Sequence, residues 1–493
     1  MKRALLSVEW LEQERLERNW TQEYVAERLG VEVSTIRRWE YGLHRPQARL
    51  YRQLCKLFDK TLDQPAETPA ALPVAQVRRT AAARSVEGGQ TLQQMPIDES
   101  MDAYARFQAS DLTMRLFRLV GTWSLHHRNA RYQELQTCVM RELEPKDNAM
   151  QESLINRRNA LRRLAALPIE VWGFSLFGPA VVRPYPIEDM LTQCAAGVTA
   201  CWHLRMGKDL VFVNDAISRY IPTLKEIVTR STGKQRTGAA DVLAQSLILK
   251  GILVRHLQAN HEASQCYMQQ AETYSKLAGN IALTIAAVRG QACNYDYMDD
   301  REQAMHTAEK AKFLAETAEA EGTPIPPMLQ SFVYSGLATY QAHTGPRYKQ
   351  DALRSLGLAQ TTFDTAINEH EIAPIWTEQD EDNLLLMAGR AYYYLGVWQQ
   401  AIETFARIDS LTVARETNRT TSFLDRVMAE VNREDQSRDM EFCIERWKQG
   451  MRGAIALRSE RSYNEAKVAY VAMRGAWPGE VRIKTLLDDF PHW

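Results

Sequence analysis

The sequence predicts an all-α protein with a small N-terminal domain, a flexible linker and a long array of helical hairpins. Three observations lead there. Residues 20–46 hold two short helical patterns separated by a glycine. From about residue 101 onward, small and aromatic residues recur at the spacing of paired helices. Runs of alternating β-branched residues flanked by hairpin turns are nearly absent from the 493 residues. That length exceeds one compact core and predicts at least two units.

The first element is the stretch W-T-Q-E-Y-V-A-E-R-L-G-V-E-V-S-T-I-R-R-W-E-Y-G-L-H-R-P at 20–46. Thr21 is a good N-cap for an apolar-periodic helix that ends at Gly30, where a residue without Cβ turns the chain at low cost. A second short helix starts near Val33 and is stopped by Gly42 and Pro46. This is the pattern of a helix-turn-helix, whose second helix lies across base edges in the DNA major groove. Ile36 and Trp39, three apart, are expected to face the core. Val33, Ser34, Arg37 and Arg38 are then left outward as candidate base readers, arginine because its planar fork matches two acceptors on guanine. Gln22, Thr35, Tyr41 and Arg45 are candidates for phosphate contacts, which set register without reading sequence.

The segment resembles the N-terminal domain of Cro/phage-repressor-type regulators, the xenobiotic-response-element (XRE) family. The matching residues are Thr21-Gln22, Ala26, Gly30, Ser34, Ile36, Trp39-Glu40, Gly42 and Pro46. The resemblance covers the head of the chain and implies a five-helix-type domain over residues 1–64. It also implies phosphate binding by Gln22 and base reading at Val33, Ser34 and Arg38. Val33 departs from the pattern: family members often carry a polar side chain there, whereas an apolar one suits a thymine methyl.

Charge and cysteines narrow the function further. The net charge of −1 gives no global basic field, so affinity for nucleic acid has to come from a local patch. The head is only weakly basic, because Arg15, Arg18, Arg28 and their neighbours stand among several acids. Two heads on a homodimer gain by avidity what one lacks. The seven cysteines are scattered and form no C-x-x-C pair, which argues against a disulfide framework or zinc site and fits a reducing cytoplasm. The N-terminus does not read as a secretory signal, and no apolar run is expected to approach a membrane span.

Residues 65–100 are rich in Ala, Pro and small polar residues with little apolar period, and read as a flexible tether. Arg157-Arg158 precedes an apolar stretch at 164–182 that looks like an export signal but lies deep inside the chain. A buried helix followed by an apolar crossing segment is the preferred reading, with a partner or dimerisation surface as the second.

Residues 101–493 are expected to be helical throughout, with the clearest repeats at 244–410. In Gly389-Arg390-Ala391-Tyr392-Tyr393-Tyr394-Leu395-Gly396-Val397-Trp398, Gly389 allows close helix approach and Gly396 makes the turn. Ala401 and Phe405 then form the facing side of the second helix. Related units run through Gly251 and Tyr267, through Ala292 and Ala308, through Gly336 and Ala352, and through Gly453 and Ala466. These repeats resemble tetratricopeptide (TPR) hairpins, irregular in spacing, and imply an α-solenoid. Its outward, concave positions include Arg255, Arg289, Asp296, Tyr340, Arg390, Tyr393 and Tyr394, a candidate groove for a peptide or a small anionic effector.

Chemistry motifs are missing. No phosphate loop, G-x-G-x-x-G, H-E-x-x-H or G-x-S-x-G occurs, so no enzyme activity, metal or cofactor is expected. His126-His127 and Cys201-Trp202-His203 lack partners at zinc spacing. Asp296, Asp299 and Asp300 lack the glycine and glutamate of a calcium loop. The overall plan resembles bacterial regulators that join a Cro-type head to a tetratricopeptide array, among them the quorum-sensing peptide receptors of Gram-positive bacteria. It implies a homodimer on a double-stranded operator, with the array holding an effector. The alternative is a DNA-targeted scaffold whose array recruits a protein partner.

Overall fold

The computed structural model describes residues 11, 15, 18, 20, 22–31, 35–36, 39, 46, 48–58, 138, 158–166, 187–369, 371, 374–434 and 437–490. The linker at 65–100 and most of the apolar stretch at 164–182 lie outside the described residues. All regular structure among the described residues is helical. The chain divides into two compact units, Met1–Gln94 and Met95–Trp493.

In the first unit, α1 (Gln22–Leu29) and α2 (Ala48–Leu57) contribute to one small core. Leu11, Val25, Ala26, Leu29, Ile36, Trp39, Leu54 and Phe58 are all buried there. Ile36 and Trp39 therefore sit on the core side, as their three-residue spacing requires. Gly30 has φ +64°, and the N–H groups of Gly30 and Val31 donate to the carbonyls of Glu27 and Ala26, closing the end of α1.

The second unit is a succession of antiparallel helix pairs. Its described helices begin with α3 (Ile187–Arg205), α4 (Leu210–Arg230), α5 (Gly233–Gln258) and α6 (His261–Ala278). Next come α7 (Ile281–Tyr297), α8 (Arg301–Ala320), α9 (Pro327–Thr344) and α10 (Lys349–Asn368). Then follow α11 (Glu381–Tyr394), α12 (Trp398–Arg407), α13 (Glu416–Val431), α14 (Met440–Leu457) and α15 (Glu460–Ala476). Short polar caps open five of these helices. Asn260, Asn280, Asp300, Asp439 and Ser459 each accept a hydrogen bond from an N–H in the first turn of the helix they precede. Where the connection is only two or three residues, as between α4, α5, α6, α7 and α8 and between α11 and α12, consecutive helices fold back on each other.

Helix approach is closest where a side chain has been removed. A Cβ on Gly389 would stand 2.4 Å from the Phe405 ring, so the α11–α12 pair packs backbone against ring. A Cβ on Gly197 would likewise strike the Tyr220 hydroxyl, which donates to the Ala165 carbonyl at 2.7 Å. That bond ties the helical stretch 158–166 to α4. Arg158 adds to the tie by donating to Asp209 at 2.6 Å, a structural role for the arginine that precedes the apolar stretch.

Two expectations change. α5 is in fact long and apolar enough to cross a membrane by length and composition, contrary to the sequence reading; 78% of its apolar window is buried inside the unit. The array is also not an open curve. α15 returns to pack against α5, and the Ser459 hydroxyl donates to the His256 carbonyl at 3.1 Å across 203 residues of chain. The concave face is thereby enclosed.

Candidate functional sites

The head holds its second helix through Ile36 and Trp39, and helical backbone is present at Thr35, Ile36 and Trp39. Thr35 is half-buried, and Gln22, half-buried, opens α1. Val33, Ser34, Arg37, Arg38, Tyr41 and Arg45 lie outside the described residues. Two arginines counted in the basic patch are used internally. Arg15 is buried and donates to the Trp20 carbonyl at 3.0 Å. Arg18 donates to the Phe58 carbonyl and lies over the Trp20 and Phe58 rings. The patch left for DNA is smaller than composition implies.

The second unit holds two adjoining cavities. The inner one is a chamber of about 60 Å³ walled by arginines from several helices: Arg205, Arg255, Arg289, Arg390, Arg415 and Arg461. All six are buried. The outer one is a groove of about 630 Å³ lined by His261, Asp296, Tyr393, Tyr394 and Asp425 among others. Arg390, Arg461 and Tyr297 line both and form the boundary between them. The Tyr297 hydroxyl accepts from Arg461 at 2.7 Å and from Arg390 at 3.1 Å, and its ring stacks on His261.

Most of these charges are paired. Arg415 donates to Asp382 through Nη2 at 2.7 Å and also contacts Asp380. Arg390 contacts Asp425 and Glu465, and Arg461 contacts Glu465. Arg205 pairs with Glu378. Arg255 and Arg289 differ. Arg255 donates to Asn294 at 2.9 Å, and Arg289 donates to the Phe332 carbonyl and the Tyr340 hydroxyl. Among the described residues neither has a carboxylate within ion-pair distance. A Cβ on Gly336 would overlap the Arg289 guanidinium, so that glycine gives the arginine its berth.

Burial and the neighbouring arginines act together on the adjacent imidazoles. Burial, then Arg461, Arg255 and Arg205, hold the His256 ring well below its ordinary value. Burial, then Arg255 and Arg461, bring His261 down to about 4. Burial likewise lowers Arg205 to about 10, because few solvent molecules are left to hold its charge.

The expectation that the seven groove residues face outward is corrected for four of them. Arg255, Arg289, Tyr340 and Arg390 are buried, because the closing of the array covers its inner face. Arg255, Arg289 and Arg390 line the chamber, while Asp296, Tyr393 and Tyr394 line the groove together with Arg390. Tyr340 lines neither; it packs against Ala292, Ala304 and Leu337 and receives Arg289. Asp296 is engaged by His343 at 2.7 Å, and the His343 ring stacks on Tyr394. Sequence reasoning missed Arg205, Trp376, Arg415 and Arg461. Arg205 ends the apolar helix α3, where it could have been singled out as Arg289 was in α7; the others come to the site only through the closed topology. Among the described residues no group of three or more His, Cys, Asp or Glu is placed to hold a metal ion.

Comparison with known families assigns the first unit. Residues 11–64 match the family model described as helix-turn-helix. The match covers Gln22, Ile36 and Trp39, the same stretch in which the fold places the glycine turn. It points to a DNA-binding transcription regulator that engages double-stranded DNA. No curated protein matches the chain.

Proposed function

We propose that the protein is a sequence-specific, DNA-binding transcriptional regulator and not an enzyme, acting in the cytoplasm as a homodimer. Its tetratricopeptide-like second unit dimerises and senses a small effector, and its head addresses an operator. The observation that carries the reading is the helix-turn-helix match over 11–64 on a chain whose other unit encloses an arginine-walled chamber. A chamber of about 60 Å³ lined by charged and apolar side chains suits a small ligand rather than a recruited protein. The homodimer is supported by the modest charge of the head, since one weakly basic module binds DNA poorly and two linked ones gain by avidity.

Selection of a random duplex library by the full chain tests this reading. Enriched sites should consist of two related half-sites about 34–36 Å apart, or a multiple of that. A library that emerges unenriched would remove DNA addressing from the account. Sedimentation of the free protein should give twice the chain mass; a monomer on and off DNA would remove the dimer.

A further inference from the structure

The chamber carries a more specific statement about the effector. Three buried nitrogens on residues lining it have no hydrogen-bond partner: Nε of Arg205, Nε of Arg255 and Nε1 of Trp376. Nδ1 of His256 is a fourth, while Nε of Arg461 is already in ion-pair contact with Glu465. The three residues carrying the obligate donors are each more than nine-tenths buried. Leaving such groups unsatisfied is costly, most of all when they are charged. The two lining acids' oxygens without hydrogen bonds nearby, Oε1 of Glu378 and of Glu465, already sit in ion-pair contact with arginines. The unmet demand is therefore for an acceptor, and an anionic one, since Arg255 and Arg289 lack carboxylates.

Geometry selects among anions. The three donors come from three separate elements, α3, α5 and the short turn Ile375–Thr377, rather than from one guanidinium. A planar carboxylate is served by a single guanidinium fork, whereas a tetrahedral oxyanion accepts around its whole surface. A chamber of about 60 Å³ has room for about four to six water-sized spheres, the size of a phosphate group and too small for a peptide. The boundary at Tyr297 leads into the groove, where the Tyr393 and Tyr394 rings and the Asp296 and Asp425 carboxylates offer stacking faces and acceptors.

The geometry points to a small phosphate monoester as the effector: its phosphate is held in the arginine chamber by Arg205, Arg255 and Trp376, and its organic part lies in the adjoining groove. This rests on the reading of the second unit as a sensor. No bond is made or broken; the ligand supplies the acceptor and charge the chamber lacks.

Calorimetric titration of the full chain with phenyl phosphate, inorganic phosphate and benzoate tests it. Phenyl phosphate should bind at least about tenfold more tightly than either of the others. Equal affinity for inorganic phosphate overturns the ester, and tighter binding of benzoate overturns the tetrahedral group. Absence of binding by all three overturns the site. Arg255→Gln should weaken phenyl phosphate at least about tenfold. Trp376→Phe keeps the ring and removes one donor; it should weaken binding about tenfold with the circular dichroism unchanged, which keeps the test open if the arginine variant does not fold. Full affinity in a folded Trp376→Phe protein contradicts the assigned donor set. Failure here with a successful operator selection would sink the ligand and leave the DNA reading intact. The opposite pair of results would leave the ligand site and sink the regulator.

Discussion

Asp382 and Arg415 form a buried ion pair, with side chains 1% and 2% exposed. Burial alone would raise the Asp382 carboxyl; Arg415, through both charge and hydrogen bonds, outweighs it and holds the group below its ordinary value. Removing one partner leaves an uncompensated charge, so Asp382→Ala should cost about 3–5 kcal/mol in the denaturant unfolding of the second unit. A loss below about 1 kcal/mol would mean that Asp380, also in contact with Arg415, substitutes for it. The histidines add a dependence on pH. His261 is lowered to about 4 from an ordinary 6.5, and His256 is lowered well below 6.5. The unfolded chain takes up these protons first, so the contribution is complete above about pH 6.5 and is lost as pH falls toward 4. Melting temperature should decline over that window, and His256→Gln should flatten the decline. In the head, Arg38→Ala should cost about 1–3 kcal/mol at the selected operator and relax one base position. Gln22→Ala should weaken all sequences alike, which quantitative binding to operator and scrambled DNA will separate. The roles of Ile36 and Trp39 were legible in the sequence because a three-residue apolar period is a local signal. The burial of Arg255 and Arg289 was not, because the side chains that cover them come from far along the chain.

At the level of elements, hairpin boundaries are written in single residues. Asn280 caps α7 and also donates to Asp241 at 2.7 Å, so it fixes both the start of one helix and its seat on α5. Asn280→Ala should cost about 1–2 kcal/mol. Gly389→Ala places a Cβ 2.4 Å from the Phe405 ring and should cost about 1–3 kcal/mol through overpacking of α11 on α12. Chemical denaturation would show both, with Gly357→Ala, where a Cβ meets nothing, as a control of opposite or negligible effect. The α11–α12 turn could be read from sequence because Gly396, at φ +74°, and the flanking small and aromatic residues fall within one hairpin. The contact between α15 and α5 could not, since nothing in either helix records a neighbour some 203 residues away. That contact turns an expected open groove into a groove with an inner chamber. The length and apolar character of α5 are explained by the same fact: it is packed by α4 and α6 and meets the returning α15.

For the whole molecule, a helix-turn-helix unit is linked to a unit whose arginine-walled chamber is proposed to take an anion. Such binding becomes control only if the ligand has different affinities for two arrangements of the protein, and the effect on DNA binding equals that difference. The measurement that bears most directly on this is the dissociation constant of the full chain for its selected operator, taken with saturating phenyl phosphate and without it. A change of at least about fivefold, in either direction, is predicted, because coupling between linked sites is typically 1–3 kcal/mol. An operator affinity and an oligomeric state that are both unchanged when the chamber is filled would contradict it.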